Sequence, residues 1–281
     1  MIALLALTET AVALIAPWRA PRDADWAAAA REIRAGFRAG DLIVAAPGWA
    51  DPILRLHLGD LIPVEVAGRL DDDRYGRVWE VSQRGARADG ARRGAVALTR
   101  RFGALTVRRV ERPAEIVAYD FVAHWTDAEV TRRNGAGATL MACRNVGDRI
   151  QCPDISYNFV RRQIVEVDNR LRQALLAQPV PGAFVVVAFP AARLGSKLIV
   201  AAGLHNTWMR KEARGPVDLR VIVGAGTGAR DTSVTVRNED GWKPITIDTS
   251  ALRGQVAPVR FEVSSPAPYA RHFGFAAEAR E

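Results

Sequence analysis

The sequence predicts an α+β chain of two parts: a small α/β, Rossmann-like unit, then an antiparallel β-sandwich of jelly-roll type. Three observations carry this. The first third alternates helical and strand patterns, the order that builds an α/β layer. Beyond about residue 113 come short apolar runs separated by glycine, proline and asparagine, with few helical windows. And 281 residues with 49% hydrophobic and 25% charged content are enough for two buried cores. The expected division is an apolar segment at 1–20, an α/β domain at 21–112 and a sandwich at 113–281.

The N-terminal stretch is apolar at Ile2–Leu7 and Ala11–Pro17 but broken by Thr8-Glu9-Thr10. It falls short of the roughly 18 uninterrupted apolar residues of a membrane span. It lacks the basic start and small-residue cleavage site of a signal peptide. A degenerate export signal, the tail of a membrane helix and a first buried segment all fit.

Asp23 or Asp25 can cap a helix to about Arg38, with Trp26, Ala30, Ile33 and Phe37 on one face. Gly40 ends it. Leu42–Ala46 is continuously apolar, which suits a strand covered on both faces by helices. Pro47-Gly48 breaks it, and Asp51-Pro52 can start a second helix, aspartate as cap and proline in the first turn. Strands are expected at Leu61–Val66, Arg77–Val81 and Leu105–Val110, with a polar loop at Arg84–Arg93. In Trp79-Glu80, alternation puts tryptophan inward and glutamate outward.

In the second part, strands are expected at 116–121, 138–142, 149–152, 163–168, 184–189, 197–202, 217–223, 232–237, 244–248, 257–263 and 272–278. Arg170–Leu176 reads as a short helix or a loop insertion. Gly147-Asp148 reads as a two-residue hairpin turn. It pairs residue i with 295 − i, so Cys143 faces Cys152 at a non-hydrogen-bonded position. Their Cα atoms would lie about 4.5 Å apart, within disulfide reach. A disulfide favours an oxidising compartment, hence an extracytoplasmic placement, periplasmic or membrane-associated. Two unrelated small core residues are the alternative.

The net charge of +8 is almost all arginine, lysine standing only at 197, 211 and 243. It is spread evenly: 18 basic and 14 acidic groups up to residue 112, 21 and 17 after it. No basic run or aromatic-interleaved basic helix appears, so nucleic acid is not an expected partner. No cysteine or histidine spacing suits a metal, no glycine-rich phosphate loop exists, and no cofactor is expected.

Two candidate ligand sites emerge. The loop after 42–46 would leave the carboxyl end of a parallel strand, where α/β folds place ligands. It offers Trp49 for stacking, Asp51, Arg55 and Asp60 for polar contacts, and His57 as acid or base. A plain i,i+4 ion pair explains Asp51 and Arg55 as well, and a histidine between leucines such as His57 is more often structural. The second is Gly203–Trp208, where His205, Asn206 and Trp208 suit a sugar, with Trp242 able to join or to serve as a core plug. Asp71-Asp72-Asp73 reads as a turn and helix cap, since adjacent carboxylates point apart.

Asp25-Trp26 opening an alanine-rich helix, followed by Gly40-Asp41-Leu-Ile-Val, resembles the extracytoplasmic region of polytopic, polyprenyl-phosphate-sugar-dependent glycosyltransferases of the protein-mannosyltransferase kind. The resemblance covers about residues 20–112. It implies an envelope location and a membrane glycosyltransferase partner. Those enzymes' catalytic residues lie in a membrane region absent here, so none carries over. The second part is similar in strand texture to galactose-binding-like jelly rolls.

The expected function is non-catalytic binding of a carbohydrate or lipid-linked glycan in the cell envelope. The rival is an enzyme using Asp51 and His57, whose side chains would then share one pocket. A third reading is a structural interaction module, which would show a large exposed apolar patch on the sandwich.

Overall fold

The computed structural model describes residues 20–205 and 215–281. The chain divides into two compact units, one taking the chain up to Val66 plus Asp71–Glu115, the other Ala67–Leu70 plus Ile116–Glu281.

The first unit opens with helix α1 (Asp23–Gly36), whose Asp25 carboxylate accepts the Arg22 N–H at 3.0 Å. Trp26, Ala29, Ala30 and Ile33 recur at helical spacing and are buried. Strand β1 (Leu42–Ala46) and helix α2 (Asp51–Leu58) follow as expected. Then come β2 (Arg77–Gln83), β3 (Ala95–Phe102) and β4 (Leu105–Glu111). The sheet order is β1-β2-β4-β3, with β1 parallel to β2 and the other pairs antiparallel.

This corrects the Rossmann-like reading. One parallel pair is present, and a doubly wound sheet is not evident. α1 and α2 cover one face through Trp26, Ile33, Leu54 and Leu58. On the other face Leu42, Val44, Val78 and Val110 pack under Tyr75, in a loop, and Ala91, in a single 3₁₀ turn (Asp89–Ala91), with no α-helix there among the described residues. Glu80 accordingly faces a covered surface and is fully buried, not outward. It is neutralised by Arg87 and Arg108, each at 2.9 Å, and accepts the Ala88 N–H at 2.7 Å. No strand forms at 61–66: Pro63 removes a ladder donor, and residues 59–61 and 64–67 take single helical turns.

The second unit is a jelly-roll-like β-sandwich. Its strands are β5 (Val117–Asp120), β6 (Glu129–Arg133), β7 (Thr139–Ala142), β8 (Arg144–Asn145), β9 (Ile150–Gln151), β10 (Phe159–Val167), β11 (Arg170–Ala177), β12 (Phe184–Arg193), β13 (Lys197–Leu204), β14 (Val217–Val223), β15 (Arg230–Val236), β16 (Lys243–Asp248), β17 (Val256–Ser264) and β18 (Phe273–Arg280). One sheet has the order β16-β13-β18-β11-β10-β9-β8, with β5 also on β18; the other runs β15-β14-β17-β12-β6-β7. Their inner faces share one core. At its centre Phe121 meets Phe189 at 4.9 Å and Phe261 at 5.3 Å, both edge-to-face.

Residues 170–177 are a strand, not a helix or insertion. Asp168 and Asn169 both take positive φ (51° and 57°), the turn that folds β11 back on β10 in eight-residue register. The cysteine hairpin forms in the expected register: Arg144 pairs with Gln151, Asn145 with Ile150, and Val146 N–H donates to Arg149 O. Cys143 and Cys152 are disulfide-bonded, with Cα atoms 4.2 Å apart. Gly147 has φ +104° while Asp148 does not turn positive, the pattern of a type II′ turn.

Candidate functional site

In the first unit the loop residues go to separate partners. Asp51 pairs with Arg55 at 2.5 Å, and Arg55 also donates to Ile62 O. Asp60 is held by both Nη atoms of Arg34 at 2.6 Å, which keeps its carboxyl below the usual carboxylate range. His57 Nε2 lies 3.1 Å from Asp23 Oδ1, an ion-pair distance off hydrogen-bond geometry. Six residues apart on a helix, Asp51 and His57 are turned about 240° from one another. Trp49, in the 3₁₀ turn Gly48–Ala50 before α2, is 64% exposed, and Ile53 (43%) and Leu56 (79%) on α2 are exposed too.

The residues behind the glycosyltransferase resemblance serve the fold. Trp26 is core. Buried Asp41 accepts the Trp79 Nε1–H at 2.8 Å and the Arg38 N–H at 3.0 Å.

The sandwich gathers polar side chains across distant strands. Phe159 on β10 pairs with Gln151 on β9. One step past the Val160–Ala177 pair, it stands opposite Gln178. Extending the Leu176–Gly274 pairing by two residues sets Gln178 opposite His272, with Gln178 Nε2 and His272 Nδ1 3.3 Å apart. His205 N–H then donates to His272 O at 2.7 Å, one step past the Leu204–Phe273 pair. The result is one row on one face of the sheet: His205, His272, Gln178, Phe159, Gln151. The next row on that face is Gly203, Gly274, Leu176, Arg161 and, beyond β9, Arg149.

This face is concave. In a flat sheet β10 would lie about 9.5 Å from β18 and about 14 Å from β13. Val165 and Val167 share the Phe159 face by alternation. Yet a Cβ on Gly274 would sit 3.2 Å from Val165 Cγ2, and one on Gly203 3.0 Å from Val167 Cγ2. The β10–β11 arm therefore curls over β18 and β13. Trp242 closes the fold beside Gly203, its Nε1–H donating to Arg170 O at 2.9 Å and its ring covered by Arg172. It is a plug rather than an open platform.

Where the face stays open, two guanidinium groups lie over Phe159, Arg161 at 5.1 Å and Arg149 at 5.7 Å from the ring centroid. Each is held by a glutamine two residues on: Arg161 Nε–H donates to Gln163 Oε1 at 2.7 Å, Arg149 Nε–H to Gln151 Oε1 at 3.0 Å. Burial, with a smaller contribution from His205, lowers the pKa of His272, favouring a neutral imidazole that can both donate and accept.

Of the second sequence-derived site, His205 lies in the row; Asn206 and Trp208 lie outside the described residues. Sequence reasoning missed His272, Gln178, Gln151, Arg149, Phe159, Arg161 and Gln163. The repeated Arg-x-Gln at 149–151 and 161–163 was the available signal. Among the described residues no group of three or more His, Cys, Asp or Glu is placed to hold a metal, and no helix is long and apolar enough to cross a membrane. Asp71 and Asp73 are used locally, Asp71 Oδ1 accepting the Asp73 N–H and Asp73 pairing with Arg93.

No family model matches the sequence, and no curated protein does. Among solved structures it is similar to TmCBM27, a carbohydrate-binding module with specific mannan recognition, at 13% identity and TM-score 0.34 over 60% of this chain and 99% of that one. It is similar to the family 11 carbohydrate-binding module of cellulase Lic26A-Cel5E from Clostridium thermocellum, at 10% and 0.31 over 61% and 97%. A third is CBM51-2, in complex with GlcNAc, and INT domains from Clostridium perfringens ZmpB, at 11% and 0.30 over 43% of this chain and only 25% of that one. At these scores the likeness carries no argument about ligand. Nothing in it supports a relation to membrane glycosyltransferases.

Proposed function

We propose that the second unit is a non-catalytic carbohydrate-binding module that takes its ligand on the concave face of the larger sheet. The observation that supports this most is the row His205–His272–Gln178–Phe159–Gln151. It sets imidazole, amide and aromatic groups side by side on a curled surface, with Arg149 and Arg161 beside them. Concavity with a few oriented polar groups is the usual form of a small-ligand site. Neutral imidazole can both donate and accept, and the Gln178 oxygen can accept, which suits adjacent sugar hydroxyls, while the Gln151 amide is used in holding Arg149 and the 152–158 loop.

The disulfide supports an extracytoplasmic setting. A lipid-linked form of the glycan and a membrane glycosyltransferase partner rest on the N-terminal resemblance alone, and its residues are occupied with folding. The enzyme reading is weakened because Asp51 pairs with Arg55 while His57 lies beside Asp23, so the two do not face each other. An interaction module would draw on exposed apolar residues such as Trp49, Ile53 and Leu56 in the first unit, while those of the second unit, such as Ile116, Leu140 and Val256, are scattered along the chain.

A glycan array tests the proposal with the whole chain and two variants, His205→Ala and His272→Ala; Gln151 is left intact because its amide already donates to Cys152 O, Ile155 O and Asn158 O. Binding to at least one polysaccharide, weakened in both variants at unchanged melting temperature, is the expected result. A folded chain that binds no glycan sinks it.

A further inference from the structure

Resting on that reading, we infer that the ligand is an anionic polysaccharide, whose acidic groups are gripped by Arg161 and Arg149. On the concave face, β9, β10 and β11 present Gln151; Phe159, Arg161, Gln163, Val165 and Val167; and Arg170, Arg172, Ala174 and Leu176. No carboxylate is among them. Glu166, the one acidic residue within these strands, pairs with Leu171 and points to the other side.

The two arginines are prepared in the same way. The ring of Phe159 supports each guanidinium, and a glutamine oxygen takes each Nε–H, fixing the fork in one plane. The Nη groups of Arg161 have no protein partner among the described residues. Arg149 Nη1 has only Asp148, at 3.5 Å and largely exposed. A planar fork with free Nη donors fits a carboxylate or a sulfate ester through paired hydrogen bonds. Because the arginines cover Phe159, the ring is not a free stacking surface for a neutral sugar. The row beyond it, with Gln178 and the histidines, would meet the hydroxyls.

Affinity electrophoresis of the whole chain decides this, in gels containing polygalacturonate, fully methyl-esterified polygalacturonate, dextran sulfate or dextran. Esterification removes charge and leaves the sugar backbone. Arg161→Gln and Arg149→Gln are run beside Arg100→Gln, an exposed residue of the first unit, because a chain of charge +8 is drawn weakly to any polyanion. We expect retardation by polygalacturonate or dextran sulfate, the more effective of the two identifying carboxylate or sulfate. The two site variants should each lose about tenfold in affinity, the worth of a charge-assisted hydrogen bond, while Arg100→Gln changes little. Equal binding to acid and ester, or equal loss in all three variants, overturns the anionic assignment and leaves the carbohydrate reading standing. Retardation by none of the four overturns the assignment too, and the glycan array then decides the broader reading.

Discussion

Asp41 shows how much a short motif can owe to folding. Its carboxylate is buried and satisfied by the Trp79 indole, the Arg38 amide and, at 3.5 Å, Arg77. Asp41→Ala would leave a buried indole N–H and a backbone N–H unpaired, a cost of about 2–4 kcal/mol. Chemical denaturation should show that loss with no change in glycan binding; a neutral result would mean the motif has another role. His272 gives a second residue-scale prediction. Burial lowers its pKa, so as pH falls the unfolded chain takes up the proton first. Stability from this group is present above the ordinary histidine pKa of about 6.5 and is lost as pH falls through the lower folded value. The melting temperature should decline below that pH, and His272→Gln should flatten the decline. An identical profile in the variant would exclude His272 as the cause.

At the scale of elements, the disulfide hairpin and the curled arm can be tested apart. Opening Cys143–Cys152 with Cys143→Ala frees a loop with a sequence separation of 9 residues. The chain-entropy relation puts the loss at about 2–3 kcal/mol. Amide exchange should accelerate first at 144–151. Gly203→Val would drive branched carbons into Trp242 and Val167, a clash worth about 1–3 kcal/mol in a packed site. Its tryptophan fluorescence should shift if the β10–β11 arm lifts. Strands such as β14 (217–223) were legible because β-branched runs bounded by glycine and proline leave little choice, and the hairpin register followed from one turn. β11 was not, since Arg-Leu-Arg-Gln-Ala-Leu-Leu-Ala suits a helix by propensity. Its pairing with β10 and the Asp168-Asn169 turn overrode that preference. The parallel order of the first sheet was over-read for a related reason: alternating elements do not say which way β2 and β4 run.

Across the whole molecule, the candidate site was nearly illegible in the sequence. Its row takes residues 151 and 159 from β9 and β10 and residues 178, 205 and 272 from just beyond the ends of β11, β13 and β18, and what joins them is inter-strand register, which no local period records. His205 was singled out for its chemistry, but its neighbours could be found only once the sheet was assembled. The same assembly makes the last prediction sharp. The core beneath the row is confined to the sandwich, while Trp26, Leu54 and Trp79 belong to a separate cluster in the first unit. A ligand seated on the row at about 100 times its Kd stabilises the form that binds it by about 2.7 kcal/mol. Hydrogen exchange with saturating polysaccharide should therefore slow at β9, β10, β11, β13 and β18, while β1–β4 keep their rates. Slowing spread evenly over both units would instead mark polyanion adsorbed on a surface of charge +8, and raised salt would abolish it. Protection confined to β1–β4 would move the site to the first unit and restore the Asp51 and His57 loop as the place to look for chemistry.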